Sequence, residues 1–448
     1  MTIPPRSIRN SPFVRILLMG FIVLLLQIPI GLLFGIISER QHSRDDAVAD
    51  ITGTWGREQQ FVGPILVVPY NQHHNEVLED GRVKSWTVIK QAVFLPDKLD
   101  VAADVQAETR YRGIYEVPVY RADLAVSGSF PKVDFLGWDI AEADILWDKA
   151  SLNVLLSDVR ALSSASDFTW GSRTVPLEPG SLFGDRPGIH AALSGSDLTD
   201  SATPFSVELK LNGSKRISVA PAGSQTEFSV ASNWPDPSFG GSWLPQEKSA
   251  IEASGFTSAW SVNLLGRNYP QRWKEGGEHL DRLVVSTMSV RFLSPVDPYR
   301  MSFRSVKYEL LFLVLVFMTF WIFEVLSGVR LHPIQYLFCG IAMCVFYLLE
   351  LSLSEHLGFL LAYSIAAGMV CALVVGYCRA VLKTRGRASI VGGVLCLLYA
   401  YLYMLLANQD FALLAGSVGL FSALSLVMYL TRNVQWGGGA NEPEEAES

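Results

Sequence analysis

The sequence predicts a polytopic α-helical membrane protein with six transmembrane helices, one N-terminal and five C-terminal, and a large β-rich, sandwich-like extracytoplasmic domain. Three observations predict it. Apolar runs of spanning length occur once near the start and five times after residue 305. Between them, the hydrophobic period changes from helical spacing to alternation. Finally, the Lys and Arg residues of the short segments flanking the runs all fall on one side of the resulting alternation, the long 39–305 segment being left out of the count because long segments cross largely regardless of charge.

The bulk numbers agree with a mixed chain. Of 448 residues, 50% are hydrophobic and 18% charged, with a mean hydropathy of +0.27. Soluble domains carry about 25% charge, and a chain lying wholly in lipid would carry far less than this one. The net charge of −7 argues against nucleic acid, whose phosphates are bound through excess Lys and Arg. All five cysteines, Cys339, Cys344, Cys371, Cys378 and Cys396, lie inside C-terminal apolar runs. An exported domain at 39–305 therefore has no disulfides and must be held by its core alone.

The first run, residues 13–37, is FVRILLMGFIVLLLQIPIGLLFGII. It exceeds the 7–15 apolar residues of a secretory signal and has no small-residue cleavage site after it. At about 25 residues it can cross a hydrocarbon core of about 30 Å as an uncleaved anchor. Further spans are expected at 308–328, 333–353, 357–379, 389–407 and 411–430. Arg6 and Arg9 precede the first, and Arg15 stands at its start. Arg330 sits in the 329–332 turn, Arg379, Lys383, Arg385 and Arg387 at the 380–388 loop, and Arg432 in the tail. The opposite turns, SLSEH and ANQD, have neither Lys nor Arg. By the positive-inside rule both termini are cytoplasmic and 39–305 lies outside. The expected domains are thus 1–38 (cytoplasmic N-terminus and first span), 39–305 (periplasmic, β-rich), 306–432 (five-helix bundle) and 433–448 (acidic disordered tail).

Within 39–305, Ala47, Ile51 and Trp55 are four apart, which continues the first helix beyond the membrane. Alternation follows. FSVELKL turns Phe205, Val207, Leu209 and Leu211 to one face, and Asn212–Gly213 then SKRISV predict a type I′ hairpin. FTSAWSVNL alternates through Phe256, Trp260, Val262 and Leu264. RLVVSTMSVRF alternates through Val284, Met288, Val290 and Phe292. SLNVLLSDVRAL predicts a strand and, after Ser157, one short helix. ITGTWG and FVGPILVVPY supply turns where a membrane helix feeds a sheet.

Several of these stretches carry a family resemblance. ITGTWGREQQFVGPILVVPY (51–70), YRGIYEVPVY (111–120), FEVLSGVRLHPIQYLF (323–338), LSLSEHLGF (351–359) and LLAGSVGLF (413–421) resemble the CreD family, in order, from about residue 10 to 436. The resemblance implies a bacterial inner membrane, a periplasmic 39–305 domain and a role in cell-envelope integrity linked to an envelope-responsive two-component system. It implies no reaction, substrate or cofactor.

The candidate functional residues are Glu324, Glu350, Glu355 and His356. Acids within spans are costly, and they are functional hypotheses by default. Ser352-x-x-Glu355 reads as a capping box opening the fourth span, with Glu355 favoured by the helix dipole and His356 at headgroup level. Glu350, one turn inside the outer edge, could meet Asn408 or Gln409. Glu324, near the inner edge, could meet Arg330 or Arg379. At 1.5 Å per residue Glu324 and Glu350 lie about 20 Å apart in depth. They cannot share a proton or an ion.

Metal and catalytic readings are weak. His73 and His74 are adjacent, so on a strand they point to opposite faces, and His42, His190 and His279 are scattered. No G-x-S-x-G, G-x-x-x-x-G-K-[ST] or H-E-x-x-H occurs. No catalytic residue, metal or cofactor is expected. The leading function is a non-enzymatic inner-membrane protein supporting cell-envelope integrity or an envelope stress response through its periplasmic domain. A transporter or channel is the alternative, and a periplasmic hydrolase ranks lower. The expected partners are the lipid bilayer and an envelope protein or polymer.

Overall fold

A computed structural model describes residues 12–77, 79, 82–198, 201–246, 249–274, 278–292, 297–327, 331–382, 385–408 and 411–432. The acidic tail and Arg330, Lys383 and Gln409 lie outside them. The chain divides into two units, one comprising Met1–Ser43 with Val296–Ser448 and the other Arg44–Pro295.

In the helical unit, α1 (Pro12–Trp55) is one helix of 44 residues that continues as the spacing of Ala47, Ile51 and Trp55 predicts. It buries Ile22, Leu26, Ile30, Leu33 and Ile37, three or four residues apart, and exposes Leu17, Phe21, Leu24, Ile28 and Leu32. One stripe packs on protein while the opposite face is free for lipid. The elements α3 (Pro298–Lys307), α4 (Glu309–Ser327), α5 (Pro333–Leu357), α6 (Phe359–Leu382), α7 (Arg385–Ala407) and α8 (Ala412–Thr431) complete it, after the short α2 (His279–Val285) of the other unit. Among the described residues, α1, α5, α6, α7 and α8 are long and apolar enough to cross a membrane, and α3 with α4, bent by 46°, makes a sixth if the two are one span.

Local chemistry explains the ends. The Asp297 side chain accepts from the amides of Tyr299 and Arg300, and Pro298 stands at the first helical position, where its missing N–H costs nothing. His332 and Gln335 form a reciprocal capping box at the start of α5. Gly358, at φ 75°, ends it. A side chain at Gly340 would run into Leu26 of α1, so this glycine lets the two helices approach.

The β-rich unit holds β1 (Gln59–Val77), β2 (Val83–Phe94), β3 (Lys98–Arg112), β4 (Tyr115–Phe130), β5 (Ala150–Leu156) and β6 (Leu162–Ala165). Then come β7 (Phe168–Trp170), β8 (Arg173–Val175), β9 (Glu178–Pro179), β10 (Gly188–Leu193), β11 (Thr203–Ser214) and β12 (Arg216–Val219). The last are β13 (Gln225–Ser232), β14 (Pro237–Gly241), β15 (Ala250–Glu252), β16 (Gly255–Asn263), β17 (Arg272–Lys274) and β18 (Met288–Phe292). One nine-stranded sheet runs β14-β18-β12-β1-β5-β10-β9, with β2 also on β1 and β17 on β2. The other nine-stranded sheet runs β15-β16-β13-β3-β4-β11-β7-β8, with β6 on β11.

Both sheets feed one continuous core: Phe61, Leu152, Ile217 and Val290 from the first, and Val101, Val126, Leu209, Phe228 and Trp260 from the second. Burial alternates strictly along β13 and through most of β11, which is the signature of strands with one solvated face.

Two strand predictions are corrected. Asn212–Gly213 is not a hairpin: β11 runs straight through it, paired with Arg121 and Tyr120 of β4. Neither residue has the positive φ that a type I′ turn requires. The chain turns instead at Lys215, φ 59°, and β12 crosses into the other sheet beside β1 and β18. Gly213 is glycine because the Tyr120 ring lies against it and leaves no room for a Cβ. In RLVVSTMSVRF only Met288–Phe292 is strand, since Leu283 is the buried residue of α2. The element after Ser157 is a single 3-10 turn, Val159–Ala161.

Candidate functional site

The four residues predicted from sequence fall at three separate places in the helical unit. Glu324 of α4, 7% exposed, accepts from Arg15 of α1 and, at 3.1 Å, from the Tyr336 hydroxyl of α5. Its expected partner Arg330 lies outside the described residues, and Arg15 fills the place proposed for Arg379.

Glu355 does not open a helix. Residues 352–356 belong to the last turns of α5, so the Ser352 capping reading fails and the dipole there disfavours an acid. Other groups compensate: the Tyr299 hydroxyl of α3 donates to Glu355 at 3.0 Å, and Arg40 of α1 approaches to 3.8 Å. His356 is exposed.

Glu350 is fully buried. It accepts from the Ser302 hydroxyl of α3 at 2.7 Å. It does not meet Asn408, whose amide donates to the Met404 carbonyl at 3.0 Å; Gln409 lies outside the described residues. Sequence reasoning missed its true neighbours. Tyr299, Ser302 and Ser305 recur every three residues, a helical face that PYRMSFRSVK carries before any apolar run begins. It also passed over Glu309, buried at the start of α4 and bonded by the Gln27 amide of α1 at 3.2 Å. The carboxyls of Glu309 and Glu350 both lie within electrostatic reach of the Tyr347 hydroxyl, whereas the interactions of Glu324 and Glu355 are separate from these.

In the β-rich unit the exposed face of the second sheet forms a groove of about 840 Å³. Strand register arranges its side chains in rows across the strands. The central row is Ala259, Ser229, Ala102, Ala125 and Glu208. The row on one side is Ser261, Glu227, Asp100, Ser127 and Ser206, of which all but Ser206 line a neighbouring hollow of about 460 Å³; the row on the other, within the groove, is Thr257, Ala231, Asp104, Asp123 and Lys210. The floor is therefore nearly bare of side chains, and the flanks are acidic. Asp104 stands directly opposite Asp123, and Asp100 opposite Glu227. Like charges so placed destabilise a sheet. The Gln106 amide to Asp104 at 2.9 Å and Lys210 to Asp123 at 3.6 Å offset this in part, the latter weakly because both partners are exposed.

The histidines of β1 diverge as strand geometry requires. His73 contacts Thr87 at 2.9 Å and Asp144 at 2.8 Å, while His74 stacks on Trp86. Among the described residues no group of three metal-ligating side chains converges.

Comparisons with known proteins bear on the whole chain. Among solved structures, a mutant M1 zinc metallopeptidase of Deinococcus radiodurans aligns over 44% of this chain and 42% of its own, at 9% identity and a TM-score of 0.21. The same mutant with a tripeptide substrate gives 8% identity and a TM-score of 0.20 over the same shares. Overlap that slight carries no argument about fold or activity. Inner membrane protein CreD of Escherichia coli (strain K12) is 33% identical over 416 residues, 92% of this chain and 91% of the relative. The sequence profile of the family described as "Inner membrane protein CreD" matches residues 11–437. The chain is thus a multi-pass inner-membrane protein, and it belongs to the CreD family.

Proposed function

We propose that the chain is a non-enzymatic binding protein of the cell envelope. In this reading six spans, with α3 and α4 as one bent span, anchor it in the inner membrane with both termini in the cytoplasm. The β-rich unit, whose two sheets share a core as in a sandwich, stands in the periplasm and contacts an envelope protein or polymer. The observation that carries the reading is the groove on the second sheet. Its floor of Ala102, Ala125, Ser229 and Ala259 presents small side chains over several strands, and an exposed, largely apolar floor with a polar rim is the character of an interaction site. The acidic flanks select a partner segment with positive charge.

The test is in-cell photo-crosslinking from position 229, with Ala125→Trp to fill the groove. Capture of one envelope component from position 229, loss of that capture in Ala125→Trp, and detergent sensitivity of the cells carrying that variant are expected. Unchanged envelope resistance after removal of the entire β-rich unit would refute the reading.

A further inference from the structure

We propose that Cys371 of α6 and Cys396 of α7 are a site of reversible disulfide formation, oxidised by a lipid-soluble quinone and locking the two helices together. The inference does not depend on the role of the β-rich unit.

The two sulfurs already meet: the Cys396 thiol donates to Cys371 Sγ at 3.8 Å. Each cysteine stands near the middle of its helix. Contacts on both sides hold the pair in register. One turn along, a side chain at Gly392 would run into Val375, so the helices approach closely there through a glycine. Val375 follows Cys371 by four residues and Gly392 precedes Cys396 by four, which makes these successive contacts of one antiparallel helix pair. On the other side, the Tyr363 hydroxyl donates to the Tyr399 carbonyl at 2.7 Å. The thiols are therefore held together by the fold, with no encounter step left to make, and a disulfide needs them to close to about 2.0 Å.

Access separates this pair from the other thiols, since oxidation follows exposure. Cys396 is exposed, whereas Cys339, Cys344, Cys371 and Cys378 are buried. The thiols of Cys339 on α5 and Cys378 on α6 also lie within hydrogen-bond reach of each other, but each residue is only 5% exposed, and neither sulfur presents itself to an oxidant. Cys396, exposed at the middle of an apolar helix of spanning length, faces hydrocarbon. Charged oxidants are excluded from that layer, and a quinone dissolves in it.

The step balances. One S–H bond breaks at each cysteine and one S–S bond forms. The two electrons and two protons released pass to the quinone, which leaves as the hydroquinone. Exchange with an added dithiol reverses the step. With the bond made, α6 and α7 can no longer slide or part at mid-span.

Thiol counting on the full chain tests this, in lipid nanodiscs holding one chain each. Duroquinone, whose fully methylated ring does not add thiols, is the oxidant, and glutathione disulfide is the hydrophilic comparison. After oxidation the chain is unfolded in denaturant and its free thiols are alkylated. Duroquinone is expected to lower the alkylated cysteines from all five by two, with the peptides of Cys371 and Cys396 joined, and dithiothreitol to restore them. Glutathione disulfide should leave every thiol free. A full complement of free thiols after duroquinone, or a disulfide between Cys339 and Cys378 in its place, would overturn the proposal. So would equal oxidation by glutathione disulfide, since that marks an aqueous route. Peptide mapping reads the wild-type chain directly, so the result does not depend on the folding of any variant.

Discussion

The Arg15 guanidinium of α1 donates to the Glu324 carboxylate of α4 across 309 positions of sequence. With Tyr336 on the second oxygen, the pair ties the first helix to the C-terminal bundle. Removing Arg15 strands a nearly buried carboxylate, whereas Glu324→Gln keeps an acceptor for Tyr336. Arg15→Ala should therefore cost about 2–3 kcal/mol in detergent unfolding and Glu324→Gln less, with a coupling of about 1–2 kcal/mol in the double-mutant cycle. Strict additivity would mean the pair does not bind the two segments together.

Much of this unit was legible, since apolar length alone marks α1 and α5 to α8. The helix ends were not. Ser352-x-x-Glu355 has the capping pattern, yet α5 passes through it because nothing before Gly358 breaks the helix. Asn212–Gly213 carries the strongest short-range hairpin signal, yet its glycine answers a tertiary demand, the Tyr120 ring lying on the neighbouring strand. Glu350 was identified as unusual, but its partner Ser302 could not be, because α3 is too polar to read as part of a span. In each case a contact remote in sequence decided what a local pattern meant.

That Tyr120–Gly213 contact is itself testable. Gly213→Ala should destabilise the β-rich unit by about 1–3 kcal/mol through overpacking. Tyr120→Phe removes the hydroxyl that donates to the Arg216 carbonyl at 2.7 Å and should cost about 1 kcal/mol. A neutral Gly213→Ala in chemical denaturation would contradict the account of the sheet crossing.

Asp197 should give the β-rich unit an acid-sensitive component of stability. Burial acts to raise its carboxyl, but the Ser194 amide and hydroxyl and the Arg173 guanidinium outweigh that and hold it below the ordinary carboxylate value. A depressed folded value means stability that is present above the unfolded value of about 3.9 and is lost as pH falls through the folded one. Asp197→Asn should lower stability at neutral pH and flatten the decline on acidification. An equally steep acid limb in the variant would refute this.

The groove makes an opposed prediction for stability and function. Asp100→Asn relieves the repulsion across from Glu227 and should raise the stability of the β-rich unit by about 0.2–1 kcal/mol while weakening crosslinking from position 229. Stabilisation with full crosslinking would indicate that the acidic flanks serve no partner.

The central proposal is that the β-rich unit lies outside the inner membrane, and thiol labelling tests it most directly. The five native cysteines all lie in the C-terminal helices, four of them buried, so Ser229→Cys introduces the unit's only thiol, at an exposed position of β13. In cells with a permeabilised outer membrane, a maleimide that cannot cross the inner membrane should modify this cysteine without lysis. Modification only after the inner membrane is opened would contradict the account.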